Sequence, residues 1–186
     1  MPDPRRVAVL ISGRGSNMRA IVEQAEGYEV VLVASNKPQA GGLDWARAKG
    51  LPTWAWDSKG VEKNRFDAAL SQALADHAVG TIALAGFMRL LSPMFVDQWR
   101  GRILNIHPSL LPKYRGLDTH SRAIAAGDTV SGCTVHQVTE ELDAGEVVAS
   151  AQVPILSNDT AATLEARVLE AEHRLYPEAL STFASR

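Results

Sequence analysis

Val7-Ala8-Val9-Leu10-Ile11-Ser12-Gly13-Arg14-Gly15-Ser16-Asn17 is the stretch that decides the fold class. Its apolar run, with no polar alternation, reads as a strand covered on both faces. The two glycines then let the backbone turn tightly, and Met18, Ile21, Val22 and Ala25 follow at the spacing of one apolar helix face. Strand, glycine turn and helix in that order make the first half of a crossover unit. Working outward, strand candidates lie at Val7–Ser12, Glu29–Asn36, Thr53–Asp57, Thr81–Gly86 and Ile103–His107. Phe66, Leu70, Ala73 and Leu74 supply a further helix face between them. The alternation predicts an α/β chain with a mostly parallel sheet and helices on both faces.

Beyond His107 the rhythm changes. Pro108-Ser109-Leu110-Leu111-Pro112-Lys113-Tyr114-Arg115-Gly116 reads as an extended loop, because each proline disfavours helix in the residue before it. A short helix from Thr119 to Ala126 leads to two strands, Val130–Val138 and Glu146–Ile155, near enough to pair antiparallel across the Thr139–Gly145 loop. Leu164, Val168, Ala171 and Leu175 mark a closing helix that Pro177 is expected to interrupt or restart. No linker composition separates a second unit, so residues 1–186 read as one domain.

Composition narrows the function classes. A net charge of −2 argues against nucleic acid as the main partner, which would need a basic surface. The single cysteine, Cys133, excludes an intrachain disulfide and a cysteine-cluster metal site, and the histidines show no recurring ligand spacing. No apolar run is long enough to span a membrane or serve as a signal peptide, so the expected address is cytoplasmic. An oligomer is left open.

Three places carry candidate chemistry. The Gly13–Asn17 turn opens a helix, whose free N–H groups and positive potential suit an anion, with Ser16 or Asn17 as cap or phosphate donor. An ordinary glycine turn explains it equally, and Met18 stands where a dinucleotide fingerprint needs its third glycine, which favours a monophosphate. Asn105 and His107 flank Ile106, share one face by strand alternation, and sit at the carboxyl end of a buried strand, where open α/β sheets bind ligands. Asp143 lies in the turn between the last two strands and gains weight only as a partner of His107. Met88-Arg89-Leu90-Leu91 offers an apolar edge for a flat heteroaromatic ring, though core packing accounts for it as well. His77 is expected to close a surface helix, His120 to begin a short one, and His136 to sit in a strand.

Taken together, the segments Leu10–Asn17, Leu84–Ser92, Leu104–Pro112, Gly132–His136, Glu141–Gly145, and Glu172-His173 ahead of Tyr176-Pro177 resemble the phosphoribosylglycinamide formyltransferases. The Asn-Ile-His-Pro-Ser-Leu-Leu-Pro run with a later Leu-Asp-x-Gly marks folate-dependent formyl-transfer enzymes, and Gly-Arg-Gly-Ser-Asn narrows the match to the glycinamide ribonucleotide member. The resemblance implies a Rossmann-like fold, the donor 10-formyltetrahydrofolate and the acceptor glycinamide ribonucleotide, with no metal. It implies Asn105, His107 and Asp143 as the catalytic trio. Gly13, Gly15, Ser16, Asn17, Leu169 and Glu172 would hold the nucleotide. Lys63, Met88, Arg89, Leu90, Leu91, Asn105, Thr139, Glu140, Glu141, Leu142 and Asp143 would hold the folate. Lys63 replaces a frequent arginine, and Asp118 a frequent histidine.

The implied chemistry turns a formyl carbonyl into an oxyanion, for which the Asn105 amide and His107 are the expected donors and Asp143 the proton relay. Cys133 has no neighbour in sequence to activate it as a nucleophile. Methionyl-tRNA formyltransferase needs an added RNA-binding domain, and formyltetrahydrofolate deformylase an N-terminal regulatory one. Neither is expected in 186 residues. A non-catalytic Rossmann-type sensor of a phosphorylated metabolite would not require Asn105, His107 and Asp143 together.

Overall fold

The computed structural model describes residues 2–185. Seven strands and six helices alternate as β1 (Arg6–Ile11), α1 (Ser16–Glu23), β2 (Glu29–Ser35), α2 (Gly41–Ala48), β3 (Thr53–Ala55), α3 (Lys63–Asp76), β4 (Thr81–Leu84), α4 (Pro93–Gln98), β5 (Ile103–His107), α5 (Thr119–Ala125), β6 (Val130–Gln137), β7 (Val147–Pro154) and α6 (Ala161–Ala184). One sheet runs in the order β3-β2-β1-β4-β5-β6-β7. Strands β1 to β5 pair in parallel, while β6 and β7 are antiparallel to their neighbours. The continuous apolar runs of β1, β2 and β4 follow from burial on both faces. One apolar layer seats α1, α2 and α6 through Met18, Leu43 and Tyr176; the other seats α3 and α4 through Phe66, Leu70 and Phe95.

Most expected strands end one or two residues early, as the regular ladder gives way to the loops that follow. Pro177 is a correction: it lies inside one continuous α6 and does not break it. A proline there frees the carbonyl four residues back, that of His173, and the Gln24 Nε2 donates to it at 3.0 Å. The capping expectation for α1 also fails. Gly15, at φ 71°, occupies the cap position, with no side chain bonded to the helix end. The loop after β5 is not extended throughout either, since the Lys113 N–H donates to the Leu110 carbonyl in a tight turn. Among the described residues no helix is long and apolar enough to cross a membrane.

Candidate functional site

Between β1 and β4 the sheet's winding reverses, and the carboxyl ends of β1, β4 and β5 open on a common crevice. Ser12, the residue after β1, ties its edges together. Its Oγ donates to the Asn36 Oδ1 and accepts the Met88 N–H at 2.7 Å. Beside it, β5 presents Asn105 and His107 to the crevice, as the alternation predicts, and His107 is buried. The loop that follows is held down by Thr134 of β6, whose Oγ1 donates to the Ser109 carbonyl at 2.7 Å and accepts the Leu111 N–H at 3.1 Å. That restraint brings the Tyr114 carbonyl within 2.9 Å of the His107 Nε2. A carbonyl only accepts, so Nε2 carries a hydrogen.

Asp143 reaches the same point from the β6–β7 loop. Gly145 permits the close turn, since a Cβ there would overlap the Gln137 carbonyl. Asp143 Oδ2 accepts the Gly116 N–H at 3.0 Å and lies 3.4 Å from the His107 Nδ1. Its Oδ1 lies 3.6 Å from the Nε2 of His136, a histidine that the sequence pattern marks only as a strand residue. Antiparallel register puts His136 directly across from Asn105, and the Asn105 Nδ2 is 3.3 Å from the His136 Nε2. Pairing of β6 with β7 slips between Val135 and His136, a bulge of the kind that re-aims a side chain beside a site. Only the strand register, which single-sequence patterns do not carry, would have revealed this histidine.

Asn105 and Asp143 stand at the junction of two adjoining cavities. The smaller, about 290 Å³, is a slot between Phe87, Arg89, Leu90, Leu91 and the Thr139–Asp143 loop, with His136 at its inner end. The larger, about 750 Å³, runs past Met88, His107, Pro108 and α5 to Glu165. The Met88–Leu91 edge therefore borders the slot and the wider cavity, and Met88, Leu90 and Leu142 are left largely exposed on its lip. Arg89 lines both cavities while its guanidinium is tied down: it donates to the Ser58 and Val61 carbonyls and lies over the Phe66 ring.

The remaining candidates lie farther out. Gly13, Gly15, Ser16 and Asn17 adjoin the crevice through Ser12 but line neither cavity. Asn17 is buried, and its Nδ2 donates to Glu172 at 2.7 Å. Burial raises the Glu172 carboxyl above its usual range, and the Asn17 bond only partly opposes this. Leu169 is half-buried one turn earlier on α6. Lys63 is exposed at the start of α3 and Asp118, at φ 57°, precedes α5; of the two, only Asp118 borders a cavity. Burial pushes the Cys133 thiol up to about 12, so no thiolate is available for attack. His77 closes α3, with its Nδ1 2.8 Å from the Ala73 carbonyl.

The family description "Formyl transferase" matches residues 5–180. The phosphoribosylglycinamide formyltransferase of Escherichia coli (strain K12) is 43% identical over 183 residues, covering 96% of this chain and 86% of that one. The trifunctional purine biosynthetic protein adenosine-3 of Bos taurus is 46% identical over 190 residues; the match takes in 99% of this chain but spans only 19% of that protein. A crystal structure of phosphoribosylglycinamide formyltransferase from Brucella melitensis superposes with a TM-score of 0.92 at 51% identity, covering 97% of this chain and 96% of the other. A match that runs through β1, β5 and the β6–β7 loop alike places the chain in the formyl transferase family.

Proposed function

We propose that this chain transfers the formyl group of 10-formyltetrahydrofolate to the amine of glycinamide ribonucleotide, yielding formylglycinamide ribonucleotide and tetrahydrofolate in de novo purine synthesis. It acts as a single cytoplasmic formyltransferase domain. The observation that carries the reading is the meeting of Asn105, His107 and Asp143 where a narrow slot joins a wider cleft. The slot suits a flat pterin between apolar side chains and loop backbone, and the α1 N-terminus, which adjoins the crevice through Ser12, offers N–H groups that suit a phosphate. Relatives that match nearly the whole chain carry the corresponding name.

In this reading the amine lone pair attacks the formyl carbon, and the carbonyl electron pair moves onto oxygen. N–H donors from Asn105 and His107 stabilise that oxyanion. Both His107 nitrogens already face acceptors, Tyr114 and Asp143, so the oxyanion must share or displace one of them. Collapse restores the carbonyl and breaks the bond to N10, which takes up the proton the amine gives away. Asp143 is the group placed to pass that proton. The test is formyl transfer by the purified protein from 10-formyltetrahydrofolate to glycinamide ribonucleotide, followed by the absorbance of tetrahydrofolate formation. Turnover that requires both substrates is expected; its absence with active folate donor overturns the assignment.

A further inference from the structure

His136 has no part in the mechanism above, yet it is 2% exposed and touches two of that mechanism's three residues. Its Nδ1 lies 2.9 Å from the Gln137 carbonyl oxygen, which can only accept, so Nδ1 carries a hydrogen. Burial holds the imidazole below its usual range, and neighbouring His107 adds to the effect, while the Gln137 carbonyl and Asp143 oppose it. A ring with its one hydrogen on Nδ1 offers Nε2 as a lone pair. The Asn105 amide nitrogen, 3.3 Å away, is the donor that fills it. A flipped amide would set its oxygen against that lone pair, where the Asp143 Oδ1 already lies 3.6 Å from the same Nε2.

Resting on the formyl-transfer reading, we infer that His136 is a positioning residue: an unprotonated Nε2 fixes the Asn105 amide nitrogen-first at the junction of the two cavities, leaving its second N–H for the oxyanion. A free amide would spend part of its time oxygen-first and present an acceptor to the developing negative charge. The Gln137 carbonyl selects the tautomer, the tautomer selects the amide orientation, and the amide orientation supplies the donor.

Nitrogen NMR of the ¹⁵N-histidine-labelled protein reads the tautomer directly. At neutral pH the His136 Nδ1 is expected at the shift of a protonated ring nitrogen and Nε2 at that of an imine. The opposite tautomer, or an imidazolium, overturns the inference even if every variant fails to fold. In kinetics, His136→Leu should lower kcat by about ten- to a hundredfold, with both KM values within about threefold of wild type. His136→Gln, whose amide oxygen can accept the same N–H, should recover most of that loss. In an Asn105→Ala background, His136→Leu should cost little more. Equal losses for Leu and Gln, or losses that multiply in the double variant, overturn it. Absence of formyl transfer by the wild-type protein defeats the functional reading instead and leaves the tautomer result standing.

Discussion

Asp143 holds a backbone φ of 50°, a left-handed conformation that few residues other than glycine adopt. Ala78, Tyr114, Asp118 and Asp143 share that feature, and all but Ala78 border or bond the site. Each such residue costs about 1–3 kcal/mol, which the surrounding contacts must offset. What the strain at Tyr114 and Asp143 secures is visible: one aims a carbonyl at the His107 Nε2, the other a carboxylate at its Nδ1. His107→Ala and Asp143→Ala are each expected to lower kcat by about a hundredfold or more in steady-state assays. Since Asp143 lies against the imidazole, the proposed mechanism makes the two one unit, and the double variant should fall far short of the product of the single losses. A cycle on kcat/KM whose logarithms add within error would defeat the coupled pair. Alternation pairs Asn105 with His107, and Asp143 joins them in the sequence only through the family resemblance. His136 could be named from neither, because its partners lie 31 and 7 residues away and meet it through register and a bulge.

At the scale of elements, α6 does more than cover the sheet. Tyr176 is fully buried, and its hydroxyl lies 3.0 Å from the carbonyls of Leu84, at the end of β4, and Leu104, within β5. One hydroxyl hydrogen thus bridges the two strands that carry the Met88 edge and the Asn105–His107 pair. Tyr176→Phe removes no apolar contact but leaves both carbonyls without that donor. A loss of about 1–2 kcal/mol in urea-unfolding stability is expected, with an unchanged denaturant slope; an unaltered midpoint would show that the bridge contributes nothing. The strands behind this arrangement were legible because burial on both faces writes itself as continuous Val, Ile and Leu. Pro177 misled because its cost depends on whether the freed His173 carbonyl finds a donor, and Gln24, just past the end of α1, lies 149 residues earlier. The α1 cap misled because Gly15 provides the turn by its φ and Asn17 spends its amide on Glu172 instead.

Across the whole molecule, the proposed function puts the nucleotide end near α1 and the folate end beneath the β6–β7 loop, on opposite sides of Asn105. Their affinities should therefore be separable. Ser16→Glu, which adds an acid to the α1 N-terminus, should weaken glycinamide ribonucleotide binding in calorimetric titration and leave folate binding nearly intact; equal losses would make the loop purely structural. A second global property follows from buried histidines. Burial lowers His120, His136 and His173 below the ordinary value of 6.5, so each has a folded pKa beneath its unfolded one. Between those two values the unfolded chain binds more protons, so stability is complete above about pH 6.5 and is lost as pH falls toward the folded values. Glu172 works in the opposite sense, since its folded carboxyl lies above 4.5 and favours the folded state as pH falls through its window. Three histidines against one carboxyl decide the direction over the upper part of the range. Tm should therefore drop between about pH 7.5 and 5.5, before most carboxylates begin to titrate. His173→Gln, on α6 and apart from the residues assigned to chemistry, should make the slope shallower by removing one of the three. A Tm that stays level or rises over that interval, or a His173→Gln protein with the full wild-type slope, would show that these rings gain their protons in the folded state at no cost.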